Sequence, residues 1–137
     1  VAVKESSGNL GQIGQIARTL PSGKILLSGD DYLALPSISL GAEGLVSVAG
    51  NVLPRRLSAL VEAARAGRRA EALQLQHQLL PLMDSLFLES NPIPLKAALQ
   101  MLGLANDFVR LPLYPAQAGT RQKVEAALAA ILTTEQK

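Results

Sequence analysis

Three short apolar runs occupy the first fifty residues, each followed within two residues by glycine, serine or aspartate and separated from the next by a segment of helical length. This alternation constrains the fold more than any other feature of the chain. The runs are Val1–Lys4, Lys24–Ser28 and Leu45–Ala49. Their apolar character is continuous, as in Ile25-Leu26-Leu27 and Leu45-Val46, which predicts strands buried on both faces. Between the first two, Leu10–Leu20 sets Ile13, Ile16, Ala17 and Leu20 on one helical face. Gly11 and Gly14 weaken that helix by about 1 kcal/mol each relative to alanine. Between the second and third lies a helix over Asp31–Leu40, with Asp30 or Asp31 available as its N-cap. Alternating strands and helices predict a parallel sheet with right-handed crossovers.

After Asn51 the pattern turns purely helical. Pro54 suits a first helical position, and Leu57, Leu60, Val61 and Ala64 form a stripe that ends at Gly67. A second helix runs from Arg68 into the Leu79–Leu88 region, where Pro81 is expected to kink or divide it. Asn91-Pro92-Ile93-Pro94 reads as a rigid extended connector. A third helix spans Leu95–Leu102 and stops at Gly103. The last runs from about Thr120 to Leu132, with Val124, Ala127, Leu128 and Ile131 facing inward.

Three parallel strands alone leave both outer edges open. The simplest completion is a (β/α)8 barrel, so the expected fold class is α/β. Residues 1–53 are expected to be the last three β/α units of a TIM barrel and residues 54–137 a C-terminal helical region. Such barrels run to ~250 residues, which places about half of the domain upstream. The chain thus reads as a piece of a larger protein, cut just before Lys4. Composition agrees with a core of Leu, Val, Ile and Ala: hydrophobic residues make up 48%, charged residues 18% and aromatics 3%. So few aromatics argue against base-stacking surfaces. The formal net charge of +2 is scattered apart from Arg55-Arg56 and Arg68-Arg69. A nucleic-acid partner would need a concentrated basic stripe.

The absence of cysteine removes thiolate zinc sites and a cysteine nucleophile, and it fits a reducing cytoplasm. No apolar stretch reaches the roughly 18 residues of a membrane span, so no membrane partner is expected.

Barrel active sites are built at the C-terminal ends of the strands. Those ends are Lys4, then Ser28-Gly29-Asp30-Asp31, then Val46–Asn51, so three polar segments share one rim. Lys4 has two readings. It is either a rim lysine paired with Glu5 or another carboxylate, or an amine that attacks a carbonyl. Desolvation at a strand end would favour the neutral, nucleophilic amine. The adjacent carboxylates Asp30 and Asp31 are hostile to phosphate and favour a substrate bearing hydroxyl or amine groups. For Asp31, helix capping is the simpler role. No third carboxylate stands at a spacing that completes a magnesium site, so no metal is expected. Gly8-x-x-Gly11-x-x-Gly14 lacks the dinucleotide spacing. The only histidine, His77, lies in the helical block and supports neither a Ser–His–Asp triad nor a histidine metal site.

Four segments carry a resemblance: Val3-Lys4-Glu5-Ser6-Ser7-Gly8-Asn9, Leu27-Ser28-Gly29-Asp30-Asp31, Gly44-Leu45-Val46-Ser47-Val48 and Asn91-Pro92-Ile93-Pro94-Leu95-Lys96. In order and spacing they resemble the dihydrodipicolinate synthase/N-acetylneuraminate lyase family of pyruvate-dependent class I aldolases. The Asn-Pro-Ile-Pro-x-Lys and Ser-Gly-Asp-Asp segments look more like the synthase branch.

The resemblance implies that Lys4 forms a Schiff base with pyruvate. The derived enamine would attack aspartate semialdehyde to give 4-hydroxy-tetrahydrodipicolinate, a step of lysine and diaminopimelate biosynthesis. It implies a pyruvate contact from the backbone of Val46, a pocket wall at Gly29, and pocket positions at Ser7, Asp30 and Asn91. It implies no cofactor, a cytoplasmic location and a homo-oligomer, usually a tetramer. The family's proton-relay tyrosines, carboxylate-binding threonines, semialdehyde-binding arginine and lysine-inhibitor site belong to the upstream half; Tyr32 and Tyr114 do not align with those tyrosines. The fragment alone is therefore expected to be inactive. Two other readings stay open. One is a relative acting on 2-keto-3-deoxy sugar acids or N-acetylneuraminate, and the other is a non-catalytic half-barrel.

Overall fold

The computed structural model describes residues 1–133. The elements are β1 (Ala2–Glu5), α1 (Leu10–Thr19), β2 (Ile25–Ser28), α2 (Ala34–Ser39), β3 (Gly44–Leu45), a 3-10 turn (Ala49–Asn51), α3 (Pro54–Arg65), α4 (Arg69–Ser85), α5 (Ile93–Met101) and α6 (Ala118–Thr133). They fall into two compact units, Val1–His77 and a second that begins at Gln78. The strands therefore share a unit with α3 and the first half of α4.

In the first unit a three-stranded sheet runs in the order β1-β2-β3, and both pairings are parallel. Lys4 pairs in register with Leu27, and Leu27 with Gly44. Successive side chains on a strand point to opposite faces. Lys4, Leu27 and Gly44 thus share one face, and Val3 and Leu26 share the other. Leu26 packs with Ile13 of α1 and Ala42, and Ile16, Ala17, Leu20, Leu33 and Ile38 close around them. The helices cover the Leu26 face and leave the Lys4 face open.

Local chemistry sets the element ends. Asn9 caps α1, its side-chain oxygen accepting from the Gln12 N–H at 3.1 Å. Pro54 opens α3, where its missing N–H costs no helical bond. Gly67 ends the run at φ 71°, a backbone conformation that a β-carbon disfavours. Leu57, Leu60 and Ala63 are the buried stripe of α3. Truncating the fully buried Leu60 to alanine is expected to destabilise the folded chain by about 2–5 kcal/mol, read by denaturant unfolding.

In the second unit Ile93, Ala97 and Ala116 form a cluster with Val109 and Leu113 packed on it. Val124, Ala127, Leu128 and Ile131 are the buried residues of α6, the stripe expected from the sequence. Arg121 reaches Asp107 at 2.9 Å and Gln100 at 2.6 Å, tying α6 to α5 and to the intervening loop.

Several expectations change. The third strand is only Gly44–Leu45; Val46 to Ala49 leave the sheet because the amides of Val48 and Ala49 bond elsewhere. The first strand is not buried on both faces: Ala2, Val3 and Lys4 are exposed, since β1 is an edge strand with one neighbour. Pro81 lies inside α4 and does not divide it. The connector at 91–94 is not fully extended, because α5 begins at Ile93 with Pro92 as N-cap and Pro94 in the first turn.

Candidate active site

The parallel register brings three chain segments to one end of the sheet. β1 ends at Glu5, β2 at Ser28 and β3 at Leu45, and Ser28 pairs with both of the others. The Gly29 N–H donates to the Glu5 carbonyl at 2.7 Å, and the Val46 N–H donates to the Ser28 carbonyl at 2.8 Å. Gly29 and Val46 are therefore fixed as the first residues beyond β2 and β3, Gly29 next to the strand that carries Lys4 and Val46 one strand further along the same edge.

Lys4 projects from the open face and is exposed. Glu5 does not pair with it. The Glu5 side chain is buried, and its Oε1 accepts from the Ser7 N–H at 2.7 Å and from the Gln12 side-chain amide at 3.2 Å. Among the described residues Lys4 has no carboxylate partner. Burial of the Lys4 side chain is not supplied by residues 1–133 either. What the chain does supply is placement. A β-carbon built on Gly29 would overlap Ser6 Oγ and Lys4 Cε, so the lysine stem lies directly over the glycine. Gly29 keeps a negative φ, so space and not backbone conformation excludes a side chain there.

The serine beside Lys4 and Gly29 is Ser6; the Ser7 hydroxyl accepts from the Asn9 N–H at 3.1 Å and closes the turn into α1. The signal for Ser6 was available in the strand period, which puts residues two apart on one face. Asp30 and Asp31 separate in role. Asp30 Oδ1 accepts from the Tyr32 N–H at 2.9 Å, a local turn contact. Asp31 does not cap α2, whose N-cap is Leu33 without a side-chain bond. It is 1% exposed, and its carboxylate reaches across to the segment after β3. The Ser47 hydroxyl donates to Oδ1, and the Val48 and Ala49 N–H groups donate to Oδ2 at 3.0 and 2.9 Å. Both Asp31 oxygens are thus occupied within the chain, and neither is left to bind a ligand by accepting a hydrogen bond from it.

Val46 is 43% exposed, and its N–H is already committed to Ser28, which leaves its carbonyl as the backbone group available to a ligand. Asn91 is exposed and belongs to the second unit. His77 is exposed on α4. A groove of about 450 Å³ along β3 and α3, lined by Leu27, Gly44, Ser47, Gly50, Leu57 and Val61, does not include Lys4. No group of three His, Cys, Asp or Glu side chains placed to hold a metal occurs among the described residues. No described helix is long and apolar enough to cross a membrane.

An exposed lysine laid over a glycine at the C-terminal edge of a parallel sheet also matches a known sequence pattern: the model of the dihydrodipicolinate synthetase family matches residues 1–131. The chain belongs to the dihydrodipicolinate synthetase family. Among curated relatives, the 4-hydroxy-tetrahydrodipicolinate synthase of Archaeoglobus fulgidus is 48% identical over 126 residues, 92% of this chain and 44% of that protein. The enzyme of the same name from Synechococcus elongatus is 47% identical over 128 residues, 93% of this chain and 43% of that protein. The chain thus spans less than half the length of the curated relatives it matches. Among solved structures, the 4-hydroxy-tetrahydrodipicolinate synthase of Methylacidiphilum fumariolicum SolV superposes with a TM-score of 0.92 at 43% identity, covering 97% of this chain and 44% of that one. Dihydrodipicolinate synthase from Aquifex aeolicus gives 0.91 at 41% identity, covering 94% of this chain and 44% of that one.

The residue that sequence reasoning missed altogether is Gln76. Its side-chain amide donates to the carbonyls of Asp31 and Tyr32 at 3.2 and 3.4 Å and holds the turn after β2. No local pattern marks a glutamine whose partners lie 45 and 44 residues away.

Proposed function

We propose that this chain is the part of a dihydrodipicolinate synthetase-family aldolase that carries the imine-forming lysine. In this reading its strands are the last three of a (β/α)8 barrel. The observation that carries it is Lys4 laid over Gly29 at the C-terminal edge of the parallel sheet, the edge that Val46 also leaves. Lys4 Nζ attacks C2 of pyruvate and water leaves, giving the imine. Loss of a C3 proton gives the enamine, whose C3 forms the new bond to the aldehyde carbon of aspartate semialdehyde. The amino group of that substrate then attacks C2, closes the ring and returns Lys4 as the free amine.

In this scheme Gly29 leaves room for the imine and the Val46 backbone lies against the bound pyruvate. Ser7 and Asp30 border the pocket. The proton-moving groups come from residues upstream of Val1, so residues 1–137 alone are inactive. The full-length protein is a cytoplasmic homotetramer without a cofactor, and helices after Asn51 contribute contacts between subunits.

The test is pyruvate with borohydride. In the full-length polypeptide the reduced adduct is expected on the peptide containing Lys4, and residues 1–137 alone are expected to stay unlabelled. An adduct on a different lysine sinks the assignment. Turnover with aspartate semialdehyde, set beside 2-keto-3-deoxy sugar acids and N-acetylneuraminate as alternative substrates, then fixes the reaction.

A further inference from the structure

The loop that presents Val46 is not held by the sheet. β3 ends at Leu45, and beyond the Val46 N–H no ladder bond continues. Its anchor is a side chain from another strand's exit. Asp31 is almost fully buried and takes three donors from three consecutive residues: the Ser47 hydroxyl on one oxygen, the Val48 and Ala49 amides on the other. Ser47 Oγ in turn accepts the Gly50 N–H at 2.7 Å, so the 3-10 turn is closed from both sides. Asp31 is itself pinned, because Gln76 of α4 donates to its carbonyl. Among the described residues no lysine or arginine pairs with Asp31. Oriented N–H and O–H dipoles alone compensate its charge. Shifting the loop would therefore leave a buried carboxylate without donors, a large penalty for any displacement.

We propose that Asp31 is a positioning residue that acts through Ser47–Ala49 and holds Val46 on the rim it shares with Lys4, without touching substrate. This rests on the reading of Lys4 as the imine-forming amine. The effect follows from geometry: a misplacement of about 1 Å in a site that aligns reacting groups costs on the order of 100-fold in rate.

The test uses the full-length polypeptide. Asp31→Ala is expected to lower kcat/KM for pyruvate on the order of 100-fold. Lys4 is expected to remain fully trapped by borohydride at saturating pyruvate. Amide hydrogen exchange at Val48 and Ala49 is expected to quicken. Asp31→Asn is expected to stay within about tenfold of wild type: its carbonyl oxygen still accepts both amides, and its NH2 donates to Ser47 Oγ. Wild-type kcat/KM in Asp31→Ala with quickened exchange overturns the proposal, because the loop would then move without consequence. A hundredfold loss in Asp31→Asn with unchanged exchange also overturns it, because the charge itself would then act on substrate. If Asp31→Ala does not fold, Asp31→Asn and Ser47→Ala carry the test, the latter expected to lose several-fold in kcat/KM as exchange at Gly50 quickens; wild-type kcat/KM in Ser47→Ala despite that quickening overturns the proposal. Failure of the Lys4 reading shows separately, as a borohydride adduct on another lysine in the unmutated protein.

Discussion

Lys4→Ala in the full-length polypeptide is expected to abolish borohydride trapping of pyruvate and to lower turnover by on the order of 10³-fold or more. The size of the loss follows from the lack of a substitute among the described residues of the first unit. Lys24 precedes β2 and sits at the opposite end of the sheet, and Lys96 and Lys123 belong to the second unit. Lys4→Arg is expected to be as inactive as the alanine variant, because a guanidinium stays protonated and cannot attack a carbonyl. The fold is expected to survive both changes. The Lys4 side chain is exposed and without an ion-pair partner among the described residues, and substitutions at such positions shift stability by about 0.5 kcal/mol or less. Thermal melts matching wild type beside absent trapping separate lost chemistry from lost folding. Retained turnover in Lys4→Arg would remove the nucleophile from the scheme.

The order of elements was legible because it is written in local periodicity. α1, α3 and α6 declare themselves by apolar stripes, and β1 and β2 by apolar runs between turn residues. The rim followed from the same reading, since parallel strands bring their C-terminal ends together. What was not legible depends on partners distant in sequence. Val46-Ser47-Val48 reads as strand, yet the amides of Val48 and Ala49 go to Asp31, 17 and 18 residues away. Asp30-Asp31 reads as one acidic pair, yet one member makes a local turn and the other is consumed by that loop. Val1-Ala2-Val3 reads as buried, but its burial depends on a neighbour for β1 that residues 1–133 do not provide. The roles of Ser6 and Ser7, by contrast, divide by the strand period, which the sequence does carry.

Gly29→Ala is expected to lower kcat/KM on the order of 100-fold while leaving the fold intact. The new methyl would meet Ser6 Oγ and Lys4 Cε, both on side chains that can rotate away. Relief is thus available to the protein, but only by moving the nucleophile. Gly29 lies outside the left-handed region, so alanine adds no backbone strain to confuse the result. Borohydride trapping of pyruvate is expected to slow in proportion to turnover, and Gly29→Val to be worse than Gly29→Ala. Gly14→Ala serves as the comparison: a β-carbon there meets nothing within 4 Å, and it lies inside α1. That variant is expected to gain up to about 1 kcal/mol of stability with unchanged turnover. If Gly29→Ala kept the wild-type trapping rate, Lys4 would be reaching pyruvate from a position that does not depend on the glycine, and the bare backbone at Gly29 would have no part in the site.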